Sequence, residues 1–519
     1  MRSSPIGLAA LVGCAAAPSS REGLLADCVH PRAFAYDADG DGHGDPRVQW
    51  TGCTPPPGYV FDITDCDDMS RQVAPGAEDI CGDGIDQDCD GQDAVCQTSP
   101  DRWTGATADG VGWDLAVVGD ANGDGVDDLV VSGPKAAGGV GRVYVLAGPL
   151  TSSTQAPSAA FEGDLGEQFG SALAALGDVN DDGVDDFAWG APYDGLLGDG
   201  AGRVWIHHGP ANGSYAGGMG SSLVAGDNGV WGVGIALSSG HDLTGDGEPD
   251  LVIGAPYGGH EDTYTGRAFV LPLPLPTDHV ASVGLDGLEV LGEELAGNLG
   301  EAVAALPDLD GDGNADLAVA APAEDGSAGR VYLFWGPLTG AVVATDADVQ
   351  LGGPAAGHRF GSALAGGDLT GSGQAELVVG APSFDGGGVW VLDGPTGQWV
   401  ARLDPDGTSD GLGAAVEVGD ADGVGPDDLL VGAVSAADGR GAAALWLGPV
   451  SGVRTVSDTT MSWTGDDPAD GLGTSVAIHP DFTGDGEADV LIGIPGAHSG
   501  DGEVRVVTGP FGEVPSPAP

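Results

Sequence analysis

The stretch Asp308-Leu-Asp310-Gly-Asp312-Gly313-Asn314-Ala-Asp316 constrains this chain more than any other. Carboxylates stand at positions 1, 3, 5 and 9 of a nonapeptide, with glycine at position 6. That spacing describes an oxygen cage for a hard cation. Ca²⁺ takes six to eight oxygen ligands at roughly 2.3–2.6 Å in a flexible geometry, and alternating aspartates can turn inward around it. The carbonyl of Asn314 can add an oxygen, and Gly313 permits the sharp turn. A helix–loop–helix calcium site would need Glu at position 12. Position 12 here is Val319, inside the apolar run 317–322, which reads as a buried strand. The cage therefore joins strands.

The nonapeptide recurs. Asp120, Asn122, Asp124 and Asp128 form one copy, and Asp178, Asn180, Asp182 and Asp186 another. Two copies carry threonine at position 3: Asp242, Thr244, Asp246 and Asp250, then Asp481, Thr483, Asp485 and Asp489. Two are eroded: Asp368, Thr370, Ser372 and Glu376, then Asp420, Asp422, Val424 and Asp428. A single Asp-Gly-rich stretch reads as a solvated turn. Copies beginning at residues 120, 178, 242, 308, 368, 420 and 481, all with an apolar position 12, read as several Ca²⁺ loops. The eroded pair is expected to be weak or empty.

Each unit repeats one grammar. A Phe-Gly-like pair opens it: Phe169-Gly170, Trp231-Gly232, Leu299-Gly300, Phe360-Gly361, Leu412-Gly413 and Leu472-Gly473. A short apolar strand leads into the acidic loop. A second strand ends in Gly-Ala-Pro, as at 190–192, 254–256 and 380–382, and a third starts near Gly-Arg-Val, as at 202–204 and 329–331. A weaker fourth follows, as at 160–163. Four short strands per unit suit a propeller blade, and the absence of 3.6-residue periodicity excludes helical solenoids. The last unit lacks a fourth strand, while an orphan, Arg102-Trp103-Thr104-Gly105, precedes the first loop. It resembles Ser462-Trp-Thr-Gly465, so it is expected to complete the last blade.

This grammar is that of FG-GAP repeats, and residues 99–510 resemble the seven-bladed propeller at the head of integrin α subunits. The resemblance implies an all-β fold with Ca²⁺ loops on one face and a partner on the other. On that second face Tyr193, Tyr257, His260, Tyr264 and Phe384 are candidate contacts.

The N-terminal fifth differs. Residues 1–13 have a basic start and a short apolar run, which reads as a secretory signal. Leu11-Val-Gly-Cys14 looks like the lipobox of bacterial lipoproteins, with Cys14 lipidated; ordinary cleavage near residues 15–17 is the rival. Residues 14–27 form a tether. Residues 28–98 hold the other six cysteines, an even set suited to disulfides in an oxidising compartment. Zinc would want CxxC or histidine spacing that is missing. Asp37, Asp39, Asp41 and Asp45 repeat the cation spacing, and Asp86, Asp88 and Asp90 follow. This segment resembles a cysteine- and aspartate-rich metal-binding module of bacterial surface proteins. Residues 511–519 read as a disordered tail.

Net charge bounds the partners. At −63, with Lys135 the only lysine, the chain lacks the phosphate-neutralising groups that nucleic acid or an anionic membrane demands. Membrane contact is expected only through a lipid on Cys14. No nucleophile elbow, P-loop or dinucleotide fingerprint is present. His207-His208 lies in a strand and reads as structural. The expectation is an exported, non-enzymatic surface binding or adhesion protein whose ligand is a protein or a glycan. Its rivals are a carbohydrate-binding propeller and an enzyme with its site opposite the Ca²⁺ loops.

Overall fold

The acidic nonapeptides turn the chain between a short first strand and a second strand buried along its whole length. Asp186–Ala191, Asp250–Ala255, Asp316–Ala321, Asp428–Ala433 and Asp489–Ile494 are buried at every residue. Sheets cover both faces of these strands, which explains why their sequences run apolar without alternation. The computed structural model describes residues 32–40, 42–66, 70, 73, 75, 89, 102–150, 152–194, 200–216, 221–226, 232–258, 264–275, 280–282, 287–383, 386–405 and 411–511. The chain divides into two compact units, Met1–Ser99 and Pro100–Pro519.

Among the described residues, the second unit holds seven sheets of four or five strands. They are numbered I to VII by their first strands: Asp114–Val117, Leu173–Gly177, Ala236–Ser238, Ala302–Leu306, Ala363–Gly367, Leu412–Gly419 and Val476–His479. In each, the first four strands pair antiparallel and in order. These first strands also touch one another in cyclic succession, and the one in sheet VII meets the one in sheet I. Sheet VII takes its fourth strand from the start of the array. Thr104, Trp103 and Arg102 pair with Glu503, Val504 and Arg505. The orphan strand thus lies where the sequence places it, and the architecture fits a β-propeller.

Sheets I, II, III and V carry a fifth, parallel strand that the sequence does not announce. Gly213–Ala216, Val280–Ser282, Val342–Val343 and Gly452–Thr455 each run along the outermost strand of the preceding sheet. Each comes from the connection between the third and fourth strands of its own unit. It covers an edge that would otherwise present unpaired N–H and C=O groups.

The opening pair of each unit sets the spacing between sheets. Gly170 donates its N–H to the Gly190 carbonyl in its own unit at 2.8 Å, and Gly234 does so to Gly254 at 3.0 Å. Across the seam, a Cβ at Gly190 would sit 1.8 Å from the Gly234 carbonyl oxygen, and one at Gly493 would sit 2.2 Å from that of Gly112. Backbone meets backbone there, so only glycine fits. This corrects one assignment: the opening pair of the third unit is Val233-Gly234, not Trp231-Gly232. The isolated bridge from Gly202 to Val233 matches that from Gly141 to Phe169. The first unit opens with Val111-Gly112, whose bridge to Gly502 again joins the ends of the array.

Two carboxyls sit on the ring of first strands, Asp114 in sheet I and Glu417 in sheet VI. Loss of hydration pushes both up to about 7, and Glu417 also feels the charge of Asp114. Each therefore holds its proton more tightly folded than unfolded. Their contribution is fully present below the ordinary carboxylate range and is lost as pH rises through about 7. Glu417→Gln should therefore leave the melting temperature at pH 5 unchanged and raise it by several degrees at pH 8. An equal shift at both values would contradict this assignment.

In the first unit, Arg32–Tyr36 is the centre of a three-stranded antiparallel sheet with Asp45–Gly52 and Tyr59–Val60. Strand patterning there was too sparse to anticipate it. The Phe34 ring lies 6.0 Å from those of Trp50 and Phe61 and forms the apolar centre. Cys66 and Cys89 form a disulfide, and Cys53 is also disulfide-bonded. Residues 1–31 lie outside the described residues, and with them the signal, Cys14 and the tether. No helix among the described residues is long and apolar enough to cross a membrane.

Candidate metal centre

The nonapeptide folds by satisfying its own backbone. The position-1 carboxylate accepts N–H groups from positions 4 to 6. Asp308 takes those of Gly311, Asp312 and Gly313 at 2.6, 3.1 and 2.7 Å, and Asp120 takes those of Gly123, Asp124 and Gly125 at 2.7–2.8 Å. Asp242 does the same, and Asp178 and Asp368 take the N–H groups of positions 5 and 6. Position 5 accepts the N–H of position 7, as in Asp124, Asp182, Asp246, Asp312 and Asp485. Glycine at position 6 takes a left-handed conformation, with φ of +93° at Gly313.

Position 9 anchors the loop from below. Asp128, Asp186, Asp250, Asp316 and Asp489 are fully buried. One oxygen of Asp316 accepts the Leu309 N–H at 2.7 Å, and the other accepts the Gly336 N–H, beyond the third strand, at 3.0 Å. Asp128 and Asp428 are held alike by Gly148 and Gly448. Burial pushes Asp128, Asp250, Asp316, Asp428 and Asp489 up to about 6, a shift that a cation beside them would oppose.

Position 3 divides the loops. Asn122 donates to Asp128 at 2.7 Å, and the hydroxyls of Thr244, Thr370 and Thr483 donate to Asp250, Glu376 and Asp489. Asn180 instead accepts the Asp182 N–H. An aspartate at position 3 has no proton to donate. In those two loops, Asp308, Asp310 and Asp316, and likewise Asp420, Asp422 and Asp428, bring three carboxylate oxygens within 4.8 Å of one another. Repulsion of that kind is relieved by a cation or by protonation. The sequence predicts the second loop weak or empty, because Val424 occupies position 5. The structure nevertheless draws its three carboxylates together, and it remains one side-chain oxygen short of the Asp308 loop.

The donor set fits a hard divalent cation. Every candidate ligand is an oxygen, which suits Ca²⁺, Mg²⁺ or Mn²⁺ and not a thiophilic metal. In the last loop, Asp481 Oδ1 is buried without a hydrogen-bond partner. In the first unit, Asp37 accepts the N–H groups of Gly40 and Gly42 at 2.6 and 3.2 Å, repeating the position-1 pattern. Asp39 is half-buried nearby, and Asp45 is bound by Arg47 at 2.8 Å. Asp41, Asp86, Asp88 and Asp90 lie outside the described residues.

On the loops at the other ends of the strands, Tyr193 and Tyr264 are exposed, and Tyr257 is half-buried and bonded to Tyr193. His260 and Phe384 lie outside the described residues. The sequence reading missed Trp113, an exposed ring with the Lys135 ammonium 4.1 Å above it. It also missed why Gly-Arg-Val carries arginine. Arg142 and Tyr144 share the buried Asp109 at 2.9 and 2.5 Å, and Arg203 binds the buried Asp194 at 2.9 Å. His207 is buried between Phe161 and Phe187 and pushed down to about 4 by lost hydration. His208 meets Asp186 at 3.1 Å. Both are placed as structural groups.

Comparison with known proteins agrees with this architecture. The FG-GAP repeat matches residues 169–207, 233–271, 299–334 and 360–392, which fall on sheets II to V. The "Putative metal-binding motif" matches residues 65–94. Integrin alpha-PS2 of Drosophila melanogaster is 39% identical over 161 residues, 28% of this chain and 11% of that protein. Integrin alpha-5 of Xenopus laevis is 39% identical over 154 residues, covering 26% of this chain and 14% of that protein. Integrin alpha-7 of Homo sapiens is 36% identical over 153 residues, 28% and 12% of the two. The matches thus span under one sixth of these relatives' length. Sheets I, VI and VII extend the same loop and strand grammar beyond the matched repeats.

Proposed function

We propose, from the premise that this chain carries FG-GAP repeats and an array like that of integrin α subunits, that it is a Ca²⁺-stabilised seven-bladed propeller serving as an exported surface-binding or adhesion protein. The observation that carries the cation half is the convergence of Asp308, Asp310 and Asp316 with no donor among them. The seven sheets and their cyclic contacts support the blade count. The integrin α relatives support binding in place of catalysis, and they support an extracellular site of action. Cys14 is the proposed lipid anchor.

The ions act at a distance from the partner. They stiffen one end of the blades, and the opposite loops, with Trp113, Lys135, Tyr193 and Tyr264, offer aromatic contact area. A protein or glycan ligand is proposed there. The test is retention of extracellular proteins and arrayed glycans by the chain in Ca²⁺. Trp113→Ala with Tyr193→Ala should lower retention at least tenfold and leave Ca²⁺ uptake unchanged. Retention that ignores both substitutions would move the ligand elsewhere. Glycan capture without protein capture would favour the carbohydrate reading.

The loops are ranked by their oxygens. Asp310→Ala should cost more Ca²⁺ affinity than Asp422→Ala, by about tenfold, because only the Asp308 loop also has Asp312. Equal losses in calorimetric titration would refute the ranking.

A further inference from the structure

Neighbouring acidic loops are joined to each other by residues outside both three-carboxylate clusters. Three loops carry an aspartate at position 8: Asp127, Asp185 and Asp427. Each reaches back to the preceding loop of the ring. Asp120 donates its N–H to Asp185 Oδ2 at 2.8 Å, and Asp185 donates its own N–H to the Asp120 carbonyl at 3.1 Å. The fifth and sixth loops repeat the pair: Asp368 N–H to Asp427 Oδ2 at 2.8 Å, and Asp427 N–H to the Asp368 carbonyl at 2.9 Å.

The sequence leaves room for this two-bond clasp. A Cβ at Gly119 would lie 2.2 Å from Asp185 Oδ2, and one at Gly367 would lie 2.7 Å from Asp427 Oδ2. At the third junction the residue before the preceding loop is Pro480, and Asp127 meets the His479 ring at 3.1 Å instead. The other loops carry Pro249, Ala315, Ala375 and Ala488 at position 8, none of which has a side-chain oxygen to offer.

We propose that Asp185 and Asp427 are positioning residues that couple cation occupancy between adjacent loops, so that an ion in one raises the affinity of the other. This rests on the cation reading above. The clasp joins position 1 of one loop, whose carboxylate faces the ion, to the residue preceding position 9 of the next. An ion that orders the second loop fixes Asp185 and with it the Asp120 backbone. The first loop then loses less freedom when it binds. Linkage makes the effect reciprocal.

The test titrates chelator-stripped full-length chain with Ca²⁺ by calorimetry, with ion counts from native mass spectrometry. Asp178→Ala should remove one ion and weaken a second about fivefold, the worth of one hydrogen bond. In Asp185→Ala that second site should already be weak, and adding Asp178→Ala should weaken it no further. Asp185→Asn keeps an acceptor oxygen and should behave as wild type. An Asp185→Ala isotherm equal to wild type overturns the proposal, as does an Asp185→Asn isotherm as weak as that of Asp185→Ala, which would trace the effect to charge. Asp185→Val, close in volume to aspartate and without an acceptor oxygen, repeats the test should Asp185→Ala fail to fold. A wild-type chain that binds no Ca²⁺ overturns this proposal and the cation reading together. Binding with uncoupled sites overturns this proposal alone.

Discussion

Deleting residues 1–108 is expected to lower the melting temperature of the propeller unit by roughly 5–10 °C relative to deleting residues 1–98. Only ten further residues go (108−98), but they include the strand that completes sheet VII. Trp103 is 4% exposed, packs 5.3 Å from Tyr144, and donates its indole N–H to the Gln155 carbonyl at 2.8 Å. Burying so large an apolar side chain contributes roughly 1.5–3 kcal/mol. The ladder bonds to the strand Glu503–Thr508 add about 0.5–1.5 kcal/mol each. The longer deletion also leaves that strand as an unpaired edge, so light scattering should rise on heating. Identical melting curves for the two truncations would show that this strand does not hold the ring closed.

Removing Ca²⁺ is expected to have the second largest effect. An ion that binds only the folded chain stabilises it by about 1.4 kcal/mol at a tenfold excess over its dissociation constant. Extracellular Ca²⁺ modules commonly bind at about 10⁻⁴–10⁻³ M, so millimolar Ca²⁺ is the relevant range. Several occupied loops would together contribute several kcal/mol. Excess chelator should lower the melting temperature by roughly 5 °C or more, and Ca²⁺ should restore it. Melting unchanged by chelator would remove the cation reading, and Mg²⁺ matching Ca²⁺ would change the ion's identity.

Much of this was legible in the residues because the physics is local. A nonapeptide whose first aspartate binds its own backbone at positions 4 to 6 needs no distant partner, so its spacing survives in the sequence. The orphan Arg102–Thr104 was legible for another reason: the last unit visibly lacked a strand that this segment resembled. What was not legible depends on packing. Gly213–Ala216 becomes a strand only because it lies beside Ala159–Glu162 of the preceding sheet. Val233-Gly234 and Trp231-Gly232 look equivalent until the Gly190 seam selects one of them. Position 3 showed its chemistry, but the convergence around Asp422 did not show, because an exposed Val424 masked it.

Ring closure also dictates an order of events. Arg102–Thr104 leaves the ribosome first, and its partner Glu503–Arg505 lies 399 residues later (503−104). At about 5–20 residues per second, synthesis of the intervening chain takes roughly 20–80 s. For that interval the first strand has no mate, and the sheets between can assemble only as an open arc. The final join is therefore a long-range event that waits for the last sheet. Until it happens, the sheet VII edge is available to another nascent copy.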